Sequence, residues 1–401
     1  MAKILITGNG FDLFHHLPTK YGHFMSIMKT IEKTQCDKEI SFDELFGNVF
    51  KERFINDYEL IIDNYKVENI KFSSQKIKEL KELINNNNWY NYFKPILELE
   101  TWIDFETEFE KVLNDISTIF NDLRINHVKF HYYNKEALNI YTDLKILGFI
   151  DNDESYDVVI RKEYLDFNKK KVNEKAIHNG LAISLEQFIV IFNRYLIDIV
   201  GVFYKEIKQK KLIQFNLINE IYTFNYTPTI EKIYNVEKSR IVFLHGEIGN
   251  DKNQNLVLGI NEIPQGFKIG KMYDFAKYYQ KVNKNCNKKF IEIPKQETSK
   301  LDETIFYIIG HSLDESDKEY ICDLFKFLDF DLTLKSKIIV FYYNTQDKEH
   351  KLKNLLNIIN TNLIVNMNKE NRLCFVELNN ENINRELNRE IFISGDSVFC
   401  L

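Results

Sequence analysis

The sequence predicts an α/β fold, a Rossmann-like, mostly parallel sheet flanked by helices and carrying a large, mainly helical insertion. Three observations predict it. An apolar run of strand length, Lys3-Ile4-Leu5-Ile6-Thr7, breaks at Gly8 and Gly10, as a buried parallel strand does where it enters a tight turn. Beyond residue 215, several short apolar runs finish in Gly, Asn, His or Asp, which places polar residues along the carboxyl edge of a sheet. Between these regions the apolar spacing is helical. The chain therefore divides into a sheet-bearing unit, residues 1–40 and 215–401, and an insertion, residues 41–214.

Taken in order, the first strand leads through Gly8-Asn9-Gly10-Phe11-Asp12 to Leu17-Pro18-Thr19, where Thr19 is a candidate N-cap for a helix bearing Tyr21, Phe24, Ile27 and Met28. Residues 41–84 are short charged segments with Phe50, Phe54, Leu60 and Ile61 at roughly helical spacing, and Asn85 to Asn88 reads as a loop. Trp102, Phe105, Phe109, Val112, Leu113, Ile116 and Phe120 recur at steps of three and four, predicting an amphipathic helix over 100–123. On it, Glu106 borders the apolar face and reads as a rim acid bonded to a neighbouring helix. Residues 124–180 give no clear elements, and His127, His131 and His178 lack ligand spacing for a metal. Ser184-Leu185-Glu186-Gln187 reads as a capping box opening a long helix through Phe188, Phe192, Leu196 and Ile199.

The period then changes. Ile221 to Tyr226, Ile241 to Leu244, Leu256 to Leu258, Thr304 to Ile309 and Lys337 to Tyr343 read as strands, with a crossover helix from about Asp314 to Leu328.

Charge and cysteine usage narrow the functional classes. With 59 acidic and 53 basic residues the net charge is -6, without the concentrated basic footprint of a dedicated nucleic-acid binder. The five cysteines are scattered, never paired as C-x-x-C, and give no zinc signature. No run approaches the roughly 18 uninterrupted apolar residues of a membrane span. The expectation is a cytoplasmic protein without metal and without a membrane partner.

The candidate site lies where the strand ends converge. The two glycines of the first turn let a phosphate approach the backbone, so a nucleotide is the first candidate ligand, although Leu13 stands where a dinucleotide fingerprint has its third glycine. Asn225, after Thr223-Phe224, offers a donor and an acceptor for a ribose hydroxyl or a water. His245, followed by Gly246, can take or give a proton near neutrality. Gly310 and Ser312 offer amides to an anion, and Asp314 is a candidate cap of the following helix. Asp104, Glu106 and Glu108 do not share one helical face, which ranks a metal-dependent nuclease last.

In this order, Gly8-Asn9-Gly10-Phe11-Asp12 with Leu17-Pro18-Thr19-Lys20-Tyr21, Trp102-Ile103-Asp104-Phe105-Glu106, Thr223-Phe224-Asn225-Tyr226-Thr227, Leu244-His245-Gly246 and Gly310-His311-Ser312-Leu313-Asp314 resemble the bacteriophage abortive-infection AbiH family. That resemblance implies a bacterial antiphage effector, with a phage-derived trigger and a homo-oligomer as its candidate partners. More distantly the motif order is similar to sirtuin-like NAD-consuming domains. This second resemblance implies NAD as substrate, Asn225 and His245 as catalytic residues, and Gly8, Asn9, Gly10, Phe11, Asp12, Thr19, Thr223, Gly246, Gly310, Ser312 and Asp314 around the nucleotide. The zinc cysteines of protein-deacetylating sirtuins are absent, which directs the expectation toward NAD glycohydrolysis. The alternative is a nucleotide-binding sensor or switch in phage defence that binds without hydrolysis.

Overall fold

The computed structural model describes residues 2–99, 105–126, 129–131, 135–151, 157–166, 171–209, 213–250, 254–263, 272–293, 295–297 and 303–388. Six strands form one fully parallel sheet: β1 (Ala2–Thr7), β2 (Glu220–Thr223), β3 (Ile241–Phe243), β4 (Thr304–Ile309), β5 (Lys337–Tyr342) and β6 (Leu373–Glu377). Their spatial order is β3-β2-β1-β4-β5-β6. The chain winds outward from β1 through β2 to β3, then returns to the other side of β1. That reversal, between β1 and β4, leaves a crevice at the carboxyl ends of the strands where open α/β sheets bind ligands.

Alternation along each strand sends side chains to two separate cores. Leu5, Ile221, Ile305, Tyr307 and Ile309 pack on one face with Phe11, Ile230 and Ile383. Ile6, Tyr222, Phe306 and Ile308 pack on the other with Ile321, Leu324, Phe325 and Leu328 of the crossover helix. That helix runs Lys318–Asp329, one short turn later than the sequence suggests, because Asp314 caps the separate turn Glu315–Asp317 by accepting from the Ser316 amide at 3.1 Å.

The helical region has its own core, which reaches back to Leu17 and forward to Phe275. The helix α1 (Asn9–Phe14) belongs to the sheet, whereas α2 (Tyr21–Lys33) packs Phe24, Ile27 and Met28 into the helical core. Thr19 does not cap α2: Lys20 holds that position and no side chain bonds the first amides. The long helices are α3 (Phe105–Asn126) and α4 (Glu174–Asp198). Trp102, Asp104 and His127 lie outside the described residues. α4 starts ten residues before Ser184, with Asn173 as its cap. Ser184 caps a different helix instead, its Oγ accepting from the amides of Asn88 and Trp89 at the start of Asn88–Leu99. Among the described residues one helical stretch, Glu174–Lys205, is long and apolar enough to cross a membrane; here Leu181, Leu185, Phe188, Ile189 and Phe192 are buried in the helical core.

The strands differ from the sequence reading as well, β2 ending at Thr223 instead of Tyr226. Leu256 to Leu258 is not a strand: its amides donate in turn to the Gln254 side chain, the His245 carbonyl and the Gln280 side chain, and Leu256 and Leu258 join the helical core. The sheet also gains β6, which the sequence reading did not mark and which pairs with β5 from Leu373 to Glu377.

Candidate functional site

The loops after β1, β2, β3 and β4 enclose a cleft of about 310 Å³ at the strand reversal. Gly8, Asn9, Gly10, Asp12, Thr19, Asn225, His245, Gly310 and Ser312 line it, together with Tyr21, Phe192, Phe224, Tyr226 and Asp317. Four motifs far apart in sequence thus meet because each follows a neighbouring parallel strand.

The first turn and the turn after β4 interlock backbone to backbone. Gly8 donates to the Ile309 carbonyl at 3.1 Å and Gly10 to the Gly310 carbonyl at 2.7 Å. A Cβ on Gly10 would lie 2.7 Å from the Gly310 Cα, and one on Gly310, where φ is +70°, would lie 2.1 Å from the Phe11 amide. These glycines therefore fix the cleft wall by close approach of two loops. The amides of Gly8 and Gly10, candidate phosphate contacts in the sequence, are used in that interlock.

Four residues expected at the ligand lie beside the cleft rather than on it. Phe11 is fully buried in the sheet core against His15 and Tyr234. Asp314 is the turn cap described above. Gly246 has its open side filled by the Asn255 backbone, 2.0 Å from where a Cβ would stand. Thr223 shapes the next turn: its Oγ1 accepts from Thr7 Oγ1 at 2.9 Å and from the Asn225 amide at 3.1 Å, which holds Asn225 at the cleft.

The floor is made of buried polar atoms that lack partners. Among the described residues, Asp12 Oδ1, Thr19 Oγ1 and Asn225 Oδ1 have no hydrogen-bond partner, although these residues are only 1%, 5% and 6% exposed. Such atoms are costly to leave unsatisfied, and two of the three can only accept. The other Asp12 oxygen accepts from Thr227 Oγ1 at 2.5 Å, and Thr229 donates in turn to Thr227 at 3.2 Å. Burial pushes the Asp12 carboxyl up to about 6, against these hydrogen bonds, which favour its charged form.

This has a consequence for stability. Asp12 takes up its proton near pH 6 when folded and near 3.8 when unfolded, so the folded state holds the extra proton between those values. The Asp12 contribution to stability is therefore most favourable below about pH 4, falls as pH rises to 6 and stays lowered above it. Asp12→Asn removes this dependence. In denaturant titrations the variant should gain on the wild type between pH 4 and 8, by a total on the order of 3 kcal/mol. A constant difference across that range would contradict the assignment.

Opposite the floor stands a histidine–carboxylate–histidine group that the sequence left incomplete. Leu313 donates its amide to His311 Nδ1 at 2.9 Å, which assigns the His311 proton to Nε2, and Nε2 lies 3.1 Å from Asp317 Oδ2 as donor. The other oxygen, Oδ1, stands 3.1 Å from His245 Nε2, an ion-pair separation without hydrogen-bond alignment. Burial pushes His245 down to about 4, and the Asp317 charge only partly resists. Burial alone would raise the Asp317 carboxyl, but His245 and His311 hold it well below its ordinary range. The resting pair is thus a neutral His245 beside an ionised Asp317. Phe224 packs against both histidine rings, its ring centre 4.3 Å from that of His311 and 5.1 Å from that of His245. Asp317 was visible in the sequence only as an acid near the Gly310 motif; its place between two histidines comes from the turn that Asp314 caps.

Glu106 lies in α3 and borders both this cleft and a second chamber, where it forms an ion pair with Lys277. Its expected role as a rim acid bonded to a neighbouring helix matches that contact.

No curated protein and no solved structure matches the chain. A family model described as bacteriophage abortive infection AbiH matches residues 4–343. The chain therefore belongs to the AbiH family, and its function lies in abortive-infection defence against bacteriophage.

Proposed function

We propose that this AbiH-family chain acts in infected cells by hydrolysing NAD to nicotinamide and ADP-ribose in the cleft between β1 and β4. The observation that carries the reading is the set of three buried, unpartnered oxygens, Asp12 Oδ1, Thr19 Oγ1 and Asn225 Oδ1, facing a neutral, carboxylate-backed His245. A ribose diol supplies the O–H donors that those oxygens lack. The similarity of motif order to sirtuin-like NAD-consuming domains supports the same ligand.

The chemistry needs positioning and exclusion of solvent more than a strong nucleophile. As the bond between ribose C1′ and the pyridinium nitrogen breaks, its electron pair leaves with neutral nicotinamide, and positive charge develops on the ribose. Water then bonds to C1′ and gives its proton to His245. Nε2 of His245 faces Asp317, so Nδ1 is the nitrogen available to that proton, and the Asp317 charge stabilises the imidazolium as it forms. Asn225 and Asp12 hold ribose hydroxyls. Phe192, Phe224 and Tyr226 provide the apolar wall.

Incubation of purified protein with NAD, followed by quantification of nicotinamide, tests the reading. Release that is lost in Asn225→Ala is the expected result. NAD binding without release, under conditions in which the protein defends cells, would instead identify a nucleotide-binding sensor.

A further inference from the structure

A line of side-chain hydroxyls joins the floor of the cleft to the helical region. Tyr204 Oη lies 2.9 Å from Thr229 Oγ1, Thr229 Oγ1 lies 3.2 Å from Thr227 Oγ1, and Thr227 Oγ1 lies 2.5 Å from Asp12 Oδ2. Separate parts of the fold supply its members. Tyr204 belongs to the turn Val200–Lys205 after α4 and packs against the helical core, Thr229 opens the short helix Thr229–Tyr234, and Thr227 sits in the loop after β2.

Proton counting gives the line one direction. Each hydroxyl owns a single proton, and an ionised carboxylate only accepts. Thr227 therefore donates to Asp12, Thr229 to Thr227 and Tyr204 to Thr229. Burial holds the Tyr204 hydroxyl well above the ordinary tyrosine range, so its proton stays in place as the first donor. Hydrogen bonds that point the same way polarise one another, and a loss at the far end is felt at Asp12.

The two Asp12 oxygens are thereby made unequal. Oδ2 is occupied by Thr227, whereas Oδ1 has no hydrogen-bond partner among the described residues, on a side chain that lines the cleft. A proton taken up by Asp12 thus goes to Oδ1. Ionised, that oxygen accepts a ligand hydroxyl in a charge-assisted bond; protonated, it becomes a donor. Burial favours the neutral carboxyl, and hydroxyls, Thr227 first and then Thr229, resist it in place of a cation. Tyr65 and Tyr204, the titratable groups that reach Asp12 from the helical region, are both held neutral by burial. His15, at the end of α1, is bonded to the Phe11 carbonyl and the Tyr234 hydroxyl, and Glu106, His245, His311 and Asp317 border the cleft.

We propose that Tyr204 is a positioning residue for the cleft: through Thr229 and Thr227 it holds Asp12 as an ionised acceptor, whose Oδ1 selects a ligand by its hydroxyl groups. The proposal rests on the NAD reading only for the identity of that ligand, a ribose, and the hydroxyl relay itself is tested without turnover.

Carbon-13 NMR of the Asp12 carboxyl in the ligand-free full chain should show a titration midpoint at about pH 6. Thr227→Val keeps the branched shape without the donor and should raise that midpoint by about one to two pH units, the worth of one hydrogen bond to a charged group. Tyr204→Phe removes a hydroxyl that does not touch Asp12. It should raise the midpoint by about 0.2 to 0.5 pH units, and it supplies the test if Thr227→Val does not fold. ADP-ribose, which the proposed reaction releases and does not consume, should bind the wild type severalfold more tightly at pH 7 than at pH 5. Tyr204→Phe should move that rise upward with the midpoint, and Asp12→Asn should remove it. A midpoint unmoved by Tyr204→Phe would overturn the proposal, as would ADP-ribose bound equally at the two pH values. ADP-ribose that binds at neither pH, with the midpoint moved by Tyr204→Phe, would refute the NAD reading and leave the relay standing; nicotinamide release with an unmoved midpoint would do the reverse.

Discussion

Replacing His245 by alanine should lower the rate of nicotinamide release by about 100- to 10,000-fold, the usual contribution of a positioned general base. The loss belongs in kcat. The residues placed at the ribose, Asp12, Thr19 and Asn225, are on the first two strand-end loops and remain in position, so NAD binding should change little. His245 is neutral at rest, and its removal leaves Asp317 with its His311 hydrogen bond. The folded state should therefore survive, as checked by circular dichroism and thermal unfolding. Wild-type turnover in a folded His245→Ala protein would remove His245 from the chemistry. Restoring a basic side chain elsewhere would not rescue the variant, because Asp317 stabilises the imidazolium only at this position.

Gly310→Ala should have the largest effect on stability. At φ +70° an alanine is in the left-handed region, which costs roughly 1–2 kcal/mol for a residue with a Cβ. That Cβ would also stand 2.1 Å from the Phe11 amide and 2.3 Å from the Gly10 carbonyl carbon, and backbone atoms there cannot give way without separating the loops after β1 and β4. Together these effects should destabilise the fold by about 3–5 kcal/mol. Since the same contact builds the cleft wall, ligand binding should fall with stability. Denaturant midpoints measure the change; a shift below about 1 kcal/mol would mean that the two loops are not locked as described.

The site was legible in sequence where function and backbone geometry coincide. Gly8, Asn225, His245 and Gly310 each follow an apolar run of strand length, and parallel strands bring such positions to one edge. Asp317 was harder to read because its place depends on a cap at Asp314 and a turn, a local geometry no periodicity reports. Leu256 to Leu258 shows the converse difficulty: three apolar residues before a glycine suit a strand, yet the side chain of Gln280 satisfies one of their amides, and Leu256 and Leu258 fill the helical core. Ser184 carries a capping signature, but the helix it caps begins at Asn88, nearly a hundred residues earlier.

The central claim, that the cleft between β1 and β4 hydrolyses NAD during infection, is tested most directly by measuring cellular NAD after phage infection in cells expressing either the wild-type chain or Asn225→Ala. The account predicts that NAD collapses with the wild type and holds with the variant, while both proteins accumulate to the same level. Protection against phage with cellular NAD undiminished in the wild type would contradict it.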